Sequence, residues 1–300
     1  MPGLYACHQP AAQCIRHRTR QWAVVSPQAG WTCGRRGRVR ACSSGGAGSD
    51  TGAGAGSAYE DAAAPTTSGG SAYDHPALYT SDDAFWDRGY WDRRFAGGEP
   101  LGYDWYRSYD GGLRKVITSH LPREARVLQV GVGTSSIQVD MAMRDGYAAV
   151  HSVDYSPVAI ARQEEARAAA PPRLRAALSY AVADMRRLEG LAGGAFGGAL
   201  DKGALDALLC GDDGEADAAA AIREIWRVLA PGAAYVMVTS GSPRSRLPLL
   251  SAAVPWASVA VYEIGQRGAL TGPFDSQADE EAVAALPAMG YSHLAYVCSK

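Results

Sequence analysis

From Arg126 onward the chain switches between short unbroken apolar runs and stretches where apolar residues recur every three or four positions. A short apolar run bounded by glycine or polar residues reads as a strand buried on both faces, and a period of 3.6 as a helix with one buried stripe. "RVLQVGV", "AAVHSVD", "LSYAVAD", "GALDKG" and "PGAAYVMVTS" give five strands in order. Thr134 to Arg144 and Ser156 to Ala170 read as the first two helices, the second opened by Ser156-Pro157 and stopped by Pro171-Pro172. Ile222, Ile225, Trp226 and Leu229 have the i, i+3, i+4, i+7 spacing of a buried helical stripe. After Ser240 the pattern weakens, and "ASVAVYEIG" and "YSHLAYVCS" are expected to close the sheet as an antiparallel pair. Strand–helix alternation predicts an α/β, Rossmann-like domain: seven strands, mostly parallel, with helices on both faces.

Upstream the pattern is different. Residues 43–72 are almost wholly Gly, Ala, Ser and Thr, too poor in apolar side chains to offset the entropy of ordering, and read as a linker. Aromatics then crowd residues 79–106, beginning at Tyr79 and ending at Trp105 and Tyr106. Residues 73–300 are taken as one domain with this aromatic segment at its entry; alone, such density suggests a packing collar.

Charge divides the chain again. Residues 1–49 hold seven arginines and no acidic residue, the first being Asp50, which leaves 22 basic against 31 acidic residues in the remainder. An acidic body argues against nucleic acid as a partner, because phosphate binding is chiefly neutralisation by Lys and Arg. An Arg-rich, acid-free N-terminus is the composition of an organelle transit peptide. "VRAC", Val39 to Cys42, looks like a plastid processing site, giving a transit peptide over 1–42 and a chloroplast address, with a mitochondrial one second. A basic tail that is never cut is the alternative. Four of six cysteines lie in this leader, and Cys210 and Cys298 make no zinc spacing, so no metal site is expected. No window reaches the roughly 18 apolar residues of a membrane span, so no membrane partner is expected.

In a doubly wound sheet ligands lie beyond the carboxyl ends of the strands, at the switch point. Gly131 and Gly133 end the first strand, Asp154 the second, Asp184 and Met185 the third, and Asp201 and Lys202 the fourth. Glycines permit close approach of a ligand, and an acid about 20 residues on can grip ribose hydroxyls. Asp184 and Met185 suit the amino group and flat face of adenine. Each has a local alternative: Asp154 and Asp201 could cap helices, and Asp184 could close a turn. The third glycine of a dinucleotide fingerprint is absent, Ser136 standing there, so a smaller adenosine cofactor fits better than NAD.

At these residues, "VLQVGVGTSS", "HSVDYSPVAIA", "DKGALDALL" and "RVLAPGAAYVMVTSGSPR" resemble the methyltransferase-like lysine methyltransferases. That group includes enzymes acting on translation elongation factor 1-alpha and on citrate synthase. "YWDRRF" and "YDWY" resemble its entry segment, so the resemblance runs from about Tyr90 onward. It implies a class I fold and S-adenosylmethionine as cofactor, with transfer to a protein lysine, an elongation factor being one such substrate. It also implies that Trp91, Phe95 and Trp105 close over the cofactor. Gly131 would meet its amino acid end, Asp154 and Tyr155 its ribose and adenine, and Asp184 and Met185 the adenine. Lys202 matches a lysine of the cofactor site. Asp201 or Asp206 could position the acceptor lysine, though Asp206 could equally lie on a solvated helix face. Three departures stand out: Phe95 for a frequent tyrosine, Gln129 for a common acid, and Gly197 where an "FD" pair often precedes the fourth strand. The fold does not fix the acceptor. A small-molecule methyltransferase and a binding module without turnover are the alternative readings.

Overall fold

A computed structural model describes the short strands β1 (Ala6–Cys7), β2 (Gln13–Arg16) and β3 (Trp22–Val25), and then residues 84–265, 267–286 and 292–300. The three leader strands pair antiparallel among themselves. The proposed processing site and the linker lie outside the described residues.

All the strands expected after Arg126 are present, and so are the three expected helices. They are β4 (Arg126–Val130), α3 (Ile137–Arg144), β5 (Ala149–Asp154), α4 (Pro157–Ala169), β6 (Leu178–Val182) and β7 (Phe196–Lys202). After them come α7 (Gly214–Val228), β8 (Leu229–Thr239), β9 (Ser258–Ile264) and β11 (His293–Ser299). The alternation did not mark α1 (Arg88–Ala96), α2 (Gly112–His120), α5 (Pro172–Ala177), α6 (Ala204–Leu208), α8 (Pro243–Ala253), α9 (Glu280–Ala284) or β10 (Leu270–Asp275). The sheet runs β10-β9-β11-β8-β7-β4-β5-β6. Strands β4 to β8 are mutually parallel, whereas β11 runs against both β8 and β9. The eighth strand, β10, corrects the expected seven. It forms a hairpin with β9 on the outer edge, where its Pro273 removes no hydrogen bond from a central ladder.

Local chemistry sets the helix ends. Ser156 caps α4 by accepting from the Ala159 N–H, and Pro157 occupies the first turn, where its missing N–H costs nothing. Pro171-Pro172 ends α4 as expected, but Pro172 then starts α5. Of the expected α7 stripe, Ile222 and Ile225 are fully buried in one core with Tyr235, Met237 and Leu294, Trp226 is partly buried, and Leu229 falls in β8 instead of the helix. Truncating either isoleucine to alanine would cost about 2–5 kcal/mol. The opposite face of the sheet carries α2 and α3 through Leu113, Ile117, Ile137 and Met141, packed over Val127, Leu200 and Val236. The Gly197 departure has a packing cause. A β-carbon there would fall 2.4 Å from that of Ala125, just before β4, so the edge-on approach of β7 excludes a side chain.

Candidate active site

The strand order reverses between β4 and β7, and both strands end at one cavity of about 1110 Å³, open mouth included. Trp91, Phe95, Trp105, Gly131, Gly133, Asp154, Tyr155, Asp184, Met185 and Lys202 all line it. All ten are expected at the cofactor site, Trp91, Phe95, Trp105 and Tyr155 through the family resemblance, and here they share this cavity. The floor is the turn after β4. Gly131 and Gly133 adopt left-handed φ of 61° and 49°. A β-carbon on Gly131 would lie 2.3 Å from that of Ala204, and one on Gly133 would meet the Phe95 ring at 3.3 Å. Only glycine lets this turn pass so close to α6 and to the wall.

The entry segment forms the wall. Asp87 caps α1 by accepting from the Gly89 and Tyr90 N–H groups. Trp91 stacks on Phe95 at 5.5 Å and meets Trp105 edge-on at 6.0 Å, while its indole N–H donates to the Phe85 carbonyl at 2.7 Å. Phe95 is buried within this wall.

Buried polar groups missed by the sequence reading latch this wall to the floor. Arg94 pairs with Glu99, both nearly inaccessible, and Glu99 accepts from the Thr134 hydroxyl at 2.8 Å. The Gly102 N–H donates to the Thr134 carbonyl at 2.7 Å, and Ser135 donates to Asp104 at 2.6 Å. Removing one partner of such a buried pair costs about 3–5 kcal/mol, because the other charge is left desolvated.

The acids differ in what holds them. Asp154 is buried at the end of β5 and accepts from the Gly133 N–H at 2.8 Å and from the Ser156 N–H at 2.9 Å. It therefore braces the helix start as well as lining the cavity, so the two readings of it meet. Burial raises its pKa to about 6, against the opposing pull of those backbone donors. Asp184 is clamped by the Arg186 guanidinium, which also reaches Asp217. Burial would raise this carboxyl, but the Arg186 bonds hold it below its ordinary value. Lys202 donates to the Trp105 carbonyl at 2.7 Å and lies 3.3 Å from Asp104. Burial lowers its pKa and Asp104 opposes that.

Two expectations about acids are corrected. Asp201 does not line the cavity. It is wholly buried and accepts from the Ala204 and Leu205 N–H groups and from the Tyr235 hydroxyl, so it caps α6 rather than facing an acceptor. Burial, then the neighbouring Asp206, raises it to about 7. Asp206 is not on a solvated face either. It is 1% exposed and accepts from Tyr106, Thr239 and Arg246.

These residues fit S-adenosylmethionine. The glycine floor is a cradle that a single β-carbon would fill, the buried Asp154 offers lone pairs to hydroxyls, and aromatic faces surround the space where a cation would lie. Gln129, 4% exposed, also lines the cavity. Its amide oxygen accepts from the Ser152 hydroxyl at 3.0 Å and brings no charge.

Comparison with known proteins agrees with this geometry. Residues 128–237 match the family model described as "Methyltransferase domain". The protein called EEF1A lysine methyltransferase 4 in Mus musculus is 32% identical over 167 residues, covering 53% of this chain and 62% of that protein. The eEF1A lysine and N-terminal methyltransferase of Danio rerio is 31% identical over 150 residues, covering 50% of this chain and 21% of that one. The chain thus spans less than two thirds of the length of these curated relatives. A solved S-adenosylmethionine-dependent methyltransferase from Mesorhizobium loti aligns with a TM-score of 0.41 at 19% identity, over 62% of this chain and 96% of that one. At that level the fold rests on the strand order itself.

Proposed function

We propose that this chain, whose residues 128–237 match the methyltransferase domain family, is an S-adenosylmethionine-dependent protein-lysine N-methyltransferase. The observation that carries the reading is the convergence of ten residues, from five separate stretches of chain, on the one cavity where β4 and β7 part. The names of the relatives support lysine as the acceptor and make an elongation factor the first protein to test. The Arg-rich leader supports a chloroplast address, which imaging of a leader fusion would test, with mitochondrial signal counting against it.

Bound there, S-adenosylmethionine would supply a methyl on a sulfonium, for transfer to an acceptor nitrogen whose lone pair forms the new N–C bond as the S–C pair stays on sulfur. The protein's part is alignment and dryness, which for a displacement of this kind carries most of the acceleration. Trp91, Phe95 and Trp105 exclude water and present π faces to positive charge. Asp154 would anchor hydroxyl groups of the cofactor, and the Glu99–Thr134 and Asp104–Ser135 latches hold wall and floor together. An acceptor lysine, ordinarily near pKa 10.4, passes its proton to water at the open mouth before it reacts.

Calorimetry of the purified protein with S-adenosylmethionine tests binding. Incubation with methyl-labelled cofactor and chloroplast lysate, followed by mass spectrometry, locates the label. Label on protein lysine is expected. Label confined to small molecules would transfer the reading to a small-molecule methyltransferase, and tight binding with no label in either fraction would refute turnover.

A further inference from the structure

We infer that the phenol oxygen of Tyr106 faces the acceptor amine and orients its nitrogen toward the transferable methyl, with Asp206 and Arg246 as the positioning residues behind it. The inference rests on the methyltransferase reading above. Asp154, at the end of β5, and Asp184, just beyond β6, place the adenosine side of the cavity, and Gly131 at the end of β4 marks its middle. The end of β7 is left for the group that receives the methyl. Lys202 ends β7, but its ammonium is held by the Trp105 carbonyl and Asp104. Tyr106 lines the cavity beside it. A β-carbon on Gly203 would come within 3.2 Å of the Tyr106 hydroxyl, so the glycine after β7, at φ 84°, leaves that ring its place.

Several features fix Tyr106 more firmly than packing requires. Its backbone has φ 66°, an unfavourable conformation for a bulky residue that persists only where the surroundings impose it. Its ring stacks on His293 from β11 at 4.8 Å. Its hydroxyl donates to one oxygen of Asp206 at 2.9 Å, and the other oxygen of that buried carboxylate accepts from Arg246 and Thr239, both at 2.6 Å. With its hydrogen committed to Asp206, the phenol oxygen has only lone pairs left to offer. It is an acceptor for an amine N–H, and it takes no proton itself. Burial, then Asp206, holds the phenol far above its ordinary pKa, so it stays neutral. Burial also lowers His293 to about 3, so the ring behind it is neutral too.

The test needs no acceptor protein. Sinefungin carries a primary amine where the cofactor's sulfonium bears its methyl, whereas S-adenosylhomocysteine carries neither group. Dissociation constants of both are measured by calorimetry for the wild type, Tyr106→Phe and Asp206→Asn. In Tyr106→Phe the affinity for S-adenosylhomocysteine should hold within about twofold, while the preference for sinefungin falls at least tenfold, roughly one hydrogen bond to a charged group. Asp206→Asn removes the fixed acceptor of the phenol hydrogen and should lower the same preference, so one folded variant suffices. An unchanged preference in either folded variant, or equal weakening of both ligands, overturns the inference. If the wild type binds neither ligand, the methyltransferase reading itself fails.

Discussion

Gly131→Ala places a single methyl at the tightest point of the site. Two independent costs follow. At φ 61° an L side chain crowds its own backbone, which costs about 1–2 kcal/mol. The new β-carbon would also lie 2.3 Å from that of Ala204, whereas carbon atoms rest at about 3.5–4.0 Å. Relieving that overlap means moving the first residue of α6, an overpacking strain of about 1–3 kcal/mol. The total is about 2–5 kcal/mol, read by urea denaturation as a lower midpoint with unchanged slope. The two parts can be separated. With the Ala204 methyl removed, the nearest atom is the Ala204 α-carbon at 3.5 Å, an ordinary contact. Gly131→Ala combined with Ala204→Gly should therefore recover the overlap part, with a coupling of about 1–3 kcal/mol, and retain the backbone cost. A single variant within about 0.5 kcal/mol of wild type, the scatter of an ordinary surface substitution, would refute this account of the turn. So would a cycle with no coupling.

Other consequences follow from the buried acids and their neighbours. Gln129→Glu keeps an acceptor for Ser152 and adds a negative charge at the cavity wall, facing the cofactor's ammonium, so calorimetry at pH 8 should show tighter cofactor binding; equal or weaker binding would show that a charge there does not reach the cofactor. The Asp154 carboxyl, raised to about 6 by burial, takes up a proton as the pH falls through that value. Cofactor affinity should therefore drop between pH 7 and pH 5, and Asp154→Asn should flatten that step at a lower plateau. Asp201, raised to about 7, favours the folded state while protonated. Its contribution is full below about pH 4 and lost as the pH rises through 7. Asp201→Asn should accordingly gain stability relative to wild type on going from pH 5 to pH 8 in urea titrations, with cofactor affinity unchanged. A loss of affinity in that variant would return Asp201 to the site.

The parts of this protein that the sequence revealed are those whose physics is local. Strands β4, β5, β7 and β8 announce themselves because most of their residues on both faces are buried, whereas β6, at the sheet edge, is largely open. The glycine turn and the strand-end acids sit where the topology needs a ligand. Other features depended on distant partners. The α1 sequence, "RGYWDRRFA", mixes aromatic and charged residues around the whole helix, so no single apolar face marks it. Glu99 and Thr134 are 35 residues apart and Tyr106 and Asp206 are 100, separations at which a hydrogen bond leaves no pattern in the chain. Asp206 is open in the sequence between a positioning role and a solvated helix face, and the solvated alternative gives way to burial against Arg246. The β10 strand carries Gly272-Pro273, which reads as a turn and is tolerated at a sheet edge.

The insertion of β11 between β8 and β9 has a consequence for how the molecule is made. Every other strand of the large sheet leaves the ribosome first, at about 5–20 residues per second. Until residues 293–299 emerge, β8 shows a bare edge and the β9–β10 hairpin has no neighbour to join. Both cores are open as well, since Leu294 and Tyr296 complete one and Ala295 and Val297 the other. Completion of the sheet thus waits on β11, and the bare β8 edge, with Tyr235, Val236, Met237 and Val238, is the surface on which a stalled or shortened chain would aggregate.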